Sequence, residues 1–505
     1  MESLWIALRE GLTLHMFFFA LVTITLGIIW GAMPGVSTTM AMALLVGLTV
    51  KMSPYEAIMV LMAIMVSSMQ GGSIPAVLIN IPGKATAIPT AIEGYPLTLR
   101  GEGGLALGTT IVASFIGNWI GIIALILLVP VIMAIAMKIG SWELSLIAIW
   151  GIAICGTLTE KEKPIKGWIS GWLGLLISMI GIESIHGWQR FTFGQVELND
   201  GVGYIAIIIG LFGLTEVFKS LSSPSETWEA RPVGRILPKF SMLRKHFGCI
   251  VRSGFIGLII GALPAAGANI ASFLSYIAAR QRAKGEEREE FGKGSYSGLI
   301  AAEVADNACI GGDVLPTLTL GIPGSTGMAI LLGALNFHAV RVGPAMETHH
   351  PGMLYFFYVS LILVNILTYV VALAMIKPAV KVLTLKKEIL MPLIVPICVI
   401  GAFGINESRF DLYTMLAIGL VGVALSKMNY PAAPLILGVI LGPMIDENLR
   451  KAIMIFQGQE ASLIDILSRP VGTLMLVIVA LTFYKGIFPK KAGTSAGSNG
   501  GGRPA

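Results

Sequence analysis

The feature that most constrains this chain is an interruption that occurs twice inside strongly apolar sequence. Gly71–Gly83 reads GGSIPAVLINIPG, and Gly311–Gly324 reads GGDVLPTLTLGIPG. With Pro82 aligned on Pro323, the second copy is one residue longer and Pro75 falls on Pro316. Gly is flexible and Pro removes a backbone donor, so a Gly-Gly and a Pro-Gly about a dozen residues apart are not expected to share one unbroken helix. Inside a bilayer, broken backbone persists only where protein or a water-filled cavity satisfies its polar groups. Two such breaks point to a binding site.

Hydrophobic residues make up 55% of the 505 residues, charged residues 13%, and the mean hydropathy is +0.81. Soluble domains carry about 25% charge, so the composition specifies an integral membrane protein. Its apolar runs are continuous over about 20 residues, not alternating over about 10, which excludes a membrane β-barrel. Glu2, Arg9 and Glu10, with no small-residue cleavage site after segment 11–30, argue against a cleavable signal peptide. The formal charge of +6 reads as loop Lys and Arg that set topology, and nothing indicates nucleic acid. Four scattered cysteines imply no disulfide or zinc framework.

Candidate spans lie near 11–30, 37–50, 55–70, 104–137, 142–158, 165–182, 201–219, 250–279, 325–340, 353–377, 389–405, 410–426, 431–445 and 470–487. As one helix, 104–137 would reach about 50 Å against a hydrocarbon core of roughly 30 Å, so a break near Gly117 or Gly121 is expected. Segments 37–50 and 55–70 are short enough to be half-helices. Lys and Arg cluster at 161–166, 219–252, 280–293 and 377–387, which the positive-inside rule assigns to the cytoplasm. Residues 183–199, with Trp188, Phe191 and Phe193, then face the other side.

A second repeat accompanies the first. Gly27, Gly31 and Pro34 fall on Gly257, Gly261 and Pro264 at a constant offset of 230. Each half thus pairs a G-x-x-x-G helix broken at Pro with a hairpin about 50 residues later. The expected fold is an all-α polytopic membrane protein of two related, inverted repeats with discontinuous helices and re-entrant hairpins. The expected organisation is an N-terminal half, 1–220, with hairpin 71–90, then a basic linker, 221–250. A C-terminal half, 251–489, follows with hairpin 311–330, and a Gly/Ser-rich disordered tail, 490–505, ends the chain.

Helices that start inside a membrane present free amides and a partial positive charge, a ready site for a carboxylate. The substrate-binding candidates are therefore Pro34, Gly35, Ser37 and Thr38; Gly72, Ser73, Asn80, Pro82, Gly83 and Lys84; Pro264, Gly267 and Asn269; and Pro323, Gly324, Ser325 and Thr326. Unwound carbonyls with Asn or Asp oxygens suit a hard cation, and Glu303, Asn307 and Asp313 are the candidates for a coupling Na⁺ or proton. Lys84 is expected to face an anionic substrate or to pair with Glu93. For one motif alone, close helix packing with Ser and Thr bonded back to their own helix is the simpler reading; two copies of two motifs favour a site. The metalloprotease pattern H-E-x-x-H is absent, no cofactor is implied, and scattered histidines give no metal site. Gly292-Lys293 imitates a P-loop but has the wrong spacing, so uphill transport must draw on an ion gradient or a partner.

Longer signatures identify a family. Gly71-Gly72-Ser73-Ile74, Asn80-Ile81-Pro82-Gly83 followed by Thr90–Pro96, TAIEGYP, and Arg190–Gly194, RFTFG, stand in the first half. Phe291–Gly294, FGKG, Glu303 with Asn307-Ala308, and Leu318–Ser325, LTLGIPGS, stand in the second. From Gly11 to Pro489 the chain resembles the large, about 12-helix membrane subunit of the tripartite tricarboxylate transporters. The resemblance implies ion-gradient-driven uptake of a di- or tricarboxylate such as citrate across the bacterial inner membrane, by a multi-pass protein that is not an enzyme. It also implies a small four-helix membrane subunit and a periplasmic solute-binding protein as partners, with dimerisation left open. An intramembrane enzyme and an uncoupled carboxylate channel are the alternatives. Departures from the family pattern are Val36 and Ser37 after Pro34-Gly35, Ala265, Ala302, Gln70, and Lys84 where the family is acidic or small. Lys84 lies beside the expected site, so the substrate need not be citrate.

Overall fold

The computed structural model describes residues 2–33, 36–159, 163–222, 234–264, 267–344, 346–382, 387–459 and 468–487. Pro34, Gly35, part of the basic linker and the tail 490–505 lie outside the described residues. The chain is overwhelmingly helical; among the described residues the β structure is one antiparallel pair, Gly181–Ile182 with Gln189–Arg190. Eight described helices are long and apolar enough to cross a membrane. Several other expected spans are shorter helices, among them Thr38–Thr49, Phe247–Gly261 and Thr326–Phe337. In the loop after Gln189, Phe191 and Phe193 hold φ of 53° and 50° and project outward at 55% and 84% exposure, as an interfacial aromatic segment would.

Eleven helices position the site: α1 (Leu14–Ala32), α2 (Thr38–Thr49), α3 (Pro54–Gly71), α4 (Ser73–Ile79), α5 (Ile88–Leu99), α6 (Gly103–Ala136), α7 (Phe247–Gly261), α8 (Gly267–Arg282), α9 (Tyr296–Leu320), α10 (Thr326–Phe337) and α11 (Met353–Val382). The closest-packed pairs are α6 with α9, α7 with α9 and α1 with α3.

Matched positions in the two halves make matched contacts. A Cβ on Gly31 would collide with the Ser68 carbonyl of α3, and one on Gly261 with the Cys309 carbonyl of α9. Gly71 lies 2.5 Å, on the same measure, from the Ile28 carbonyl, and Gly312 2.5 Å from that of Leu258. Helix α4 ends at Asn80 (φ 59°) and α9 at Gly321 (φ 69°), both left-handed caps. The next amide then donates back across the turn in each half, Ile81 to the Pro75 carbonyl at 3.3 Å and Ile322 to that of Pro316 at 3.4 Å. These contacts pair Gly72 with Asp313, so Gly71-Gly72 matches Gly312-Asp313 and not Gly311-Gly312.

Gly311-Gly312 and Pro323-Gly324 do not share one helix, because α9 runs through the glycine pair from Tyr296 to Leu320 and ends before the proline; the glycines let α6 and α7 approach. Two expectations need correction. Residues 54–79 form a nearly continuous run of 26 residues, not a half-helix, and the interruption comes at Asn80–Gly83. Helix α6 is unbroken over 34 residues, about 51 Å at 1.5 Å per residue, a length taken up by tilt or by projection beyond the hydrocarbon. Gly117 and Gly121 are not hinges: they face the backbones of Val304, Ala308 and Gly311 on α9.

The α6–α9 crossing yields a direct test. A Cβ on Gly311 would overlap the Gly121 backbone, whereas Gly248 has no atom within 4 Å. Gly311→Val is expected to abolish the monodisperse peak in fluorescence-detected size exclusion, while Gly248→Ala leaves it unchanged; a normal Gly311→Val peak would contradict the packing.

Candidate functional site

Every residue of α9 from Ser297 to Thr319 is buried, including Glu303, Asp306, Asn307 and Asp313. At 100° per residue, Glu303 and Asn307 share one face while Asp306 and Asp313 share another. The first face meets α6, whose Ser114, Asn118 and Gly121 recur at helical spacing. The second meets the chain that follows each interruption.

Glu303 is held by hydroxyls from three elements. Its Oε1 accepts from Ser73 Oγ at 2.8 Å and Thr90 Oγ1 at 2.6 Å, and its Oε2 from Ser114 Oγ at 3.0 Å. Ser114 in turn accepts from Asn307 Nδ2 at 2.8 Å, and Asn307 Oδ1 accepts from Asn118 at 3.4 Å. A buried carboxylate is tolerated when its lone pairs are filled in this way.

Lys84 does not reach Glu93. It forms a buried ion pair with Asp306 Oδ2. Its stem crosses Gly72, where a Cβ would come within 2.9 Å of Lys84 Cγ. Asp306 also meets the buried Thr86 hydroxyl, and no further group bonds Oδ1 or that hydroxyl. Glu93 instead clamps the loop before α9. Its Oε1 accepts from Tyr276 Oη and the Gly292 amide, both at 2.7 Å, and its Oε2 from the amides of Gly294 at 3.0 Å and Ser295 at 2.7 Å.

At the second interruption Gly324 packs on Asp313, with Cα 2.6 Å from where a Cβ would stand, and its amide donates to Thr317 Oγ1 at 3.4 Å. Ser325 lies against the Asp313 carboxylate and caps α10 through the Met328 amide at 3.3 Å. Pro323 is buried, whereas Asn80 and Pro82 are exposed.

The halves interlock. Helix α2 packs against α10, and α8 against Ala85–Ala87 and α5, so each Pro-broken helix supports the segment after the other half's interruption. Ser272 Oγ donates to the Thr86 carbonyl at 2.9 Å across this contact. Ser37 caps α2 through the Met40 amide at 3.1 Å and Thr38 begins that helix. Pro264 is buried, Gly267 (φ 65°) opens α8, and Asn269 is exposed. Thr326 begins α10 at half burial.

The buried cluster thus gathers Gly72, Ser73, Gly83 and Lys84 with Glu303 and Asn307; Asp313, Gly324 and Ser325 form a neighbouring set further along α9. Asp306 is one of the charged residues, with Lys84, Glu93, Glu303 and Asp313, that the sequence marks as functional because ionisable groups at membrane depth are costly. Thr86, Thr90 and Ser114 are not among the candidates, though Thr90 opens the TAIEGYP run, and Ser114 and Asn118 form an i,i+4 polar stripe on an apolar helix.

Known proteins resemble the chain over most of its length. The tripartite tricarboxylate transporter TctA family matches residues 17–437. An uncharacterized 52.8 kDa protein in the TAR-I ttuC' 3' region of Agrobacterium vitis is 32% identical over 479 residues, 94% of each chain. An uncharacterized protein in the TAR-II ttuC' 3' region of the same organism is 36% identical over 202 residues, 40% of this chain and 83% of its own. No solved structure matches.

Glu93→Gln turns an amide group towards the Gly294 and Ser295 donors. It is expected to cost about 1–3 kcal/mol in detergent-phase denaturation and to expose residues 283–295 to limited proteolysis. Unchanged stability with a protected loop would show that the clamp is dispensable.

Proposed function

Because the chain belongs to the tripartite tricarboxylate transporter TctA family, a multi-pass transporter component that acts with partner subunits, we propose that it is the large subunit of a binding-protein-dependent secondary transporter. The substrate is a di- or tricarboxylate such as citrate, taken up across the bacterial inner membrane and driven by a Na⁺ or proton gradient. The partners are a small four-helix membrane subunit and a periplasmic solute-binding protein.

The observation that carries this reading is the buried cluster of Lys84, Glu303 and Asp306 beneath an interrupted backbone. Ionisable groups at membrane depth are costly and retained for transport pathways and coupling. The substrate carboxylates bind at the two interruptions, Asn80–Lys84 and Gly324–Thr326, with Ser37, Thr38 and Asn269 bordering the cavity. Asp313 and Glu303 serve the coupling ion. Asn307 already bonds Ser114 and Asn118, so it positions Glu303 and does not bind the ion itself. The two halves are inverted repeats, and alternating access follows from rigid-body movement of the interrupted segments against the rest.

Isotope uptake into proteoliposomes containing the small subunit and binding protein is expected to require an imposed Na⁺ or proton gradient. Gradient-independent flux through the isolated subunit would remove the coupling. Gly83→Val would drive a side chain into the Gly31 carbonyl, 2.7 Å from the Cβ position, and Gly324→Val into Asp313. Each variant is expected to insert normally and to lose uptake at least tenfold, which corresponds to about 1.4 kcal/mol or more; wild-type uptake by either would take the interruptions out of the mechanism.

A further inference from the structure

Lys84 is the one buried Lys or Arg among the described residues, and its surroundings are not those of a simple ion pair. Asp306 gives Nζ one oxygen; its carboxylate also meets the buried Thr86 hydroxyl, and no further group bonds Oδ1 or that hydroxyl. Both residues are more than nine-tenths buried. Glu303 lies within electrostatic range of the same ammonium. Beyond Oδ2 the pocket thus holds a second carboxylate oxygen and a hydroxyl, and these are ligand types of a hard cation. The stem that delivers the ammonium fits only because residue 72 is Gly. At the matched interruption the two positions are exchanged in character: Asp313 stands for Gly72 and Ser325 for Lys84, so a carboxylate meets a hydroxyl with no tethered charge.

We infer that Asp306 and Thr86 form a monovalent-cation site that the ammonium of Lys84 fills from within the chain. Free cation then has no access at Asp306 while Lys84 is in place, and the ion that couples to transport is taken elsewhere, at Asp313. This inference rests on reading the cluster as the coupling region.

The test uses full-length protein in detergent and follows thermal unfolding by tryptophan fluorescence in NaCl and in choline chloride at equal ionic strength. Lys84→Met vacates the ammonium position, and Lys84→Gln does so while keeping a hydrogen-bond donor. Each is expected to gain a Na⁺-specific rise in Tm of roughly 2–4 °C beyond that of the wild type, and Lys84→Met/Asp306→Asn is expected to lose that gain. No gain in either single variant, the same gain in the double variant, or failure of both single variants to fold in Na⁺ as in choline would each overturn the inference. The readout needs no transport. A Na⁺ gain without carboxylate uptake would therefore retain this site and defeat the transport reading, and uptake without the gain would do the reverse.

Discussion

The structure depends on burying acid groups along a single apolar helix. Glu303, Asp306 and Asp313 lie in a stretch of α9 with no exposed residue. An isolated carboxylate there would cost several kcal/mol, so the surrounding elements are arranged to answer each one: three hydroxyls for Glu303, an ammonium for Asp306, a hydroxyl and a thiol for Asp313. That requirement draws α4, α5 and α6 against α9. It also explains the close glycine crossings, since hydroxyls on short side chains reach a carboxylate only when the helix backbones nearly touch.

Much of this was legible in the sequence, and the limits are physical. The interruptions at Asn80–Gly83 and Gly321–Gly324, and the matched G-x-x-x-G helices, follow from Gly and Pro chemistry and are where the sequence put them. The same chemistry misled at Gly117 and Gly121. A glycine that loosens a helix and one that admits a neighbouring helix look alike until the neighbour is known. Lys84 and Asp306 are 222 residues apart, and no local pattern chooses Asp306 over Glu93 as the partner. Thr90 and Ser114 were passed over because single hydroxyls in apolar helices are ordinary; their role appears only when Glu303 is placed between them.

The two halves match in backbone contacts and differ in charge. The close approaches of Gly31 and Gly261 and the left-handed caps are repeated, whereas Gly72 with Lys84 is exchanged for Asp313 with Ser325. Sequence alone suggested an anion-binding first half and a cation-binding second half. The ion pair changes that division, because the positive charge of the first half is already answered by a carboxylate of the second. A substrate carboxylate that approaches this interruption meets a compensated lysine, a weaker attraction than a bare ammonium would exert and one easier to reverse during release.

The central claim is that the interrupted segments, with the charged cluster below them, form the substrate site. A structure of the protein with a bound di- or tricarboxylate tests it most directly. The account predicts carboxylate oxygens within hydrogen-bonding distance of residues Asn80–Lys84 and Gly324–Thr326. A carboxylate bound elsewhere, with both interruptions unaltered and unliganded, would contradict it.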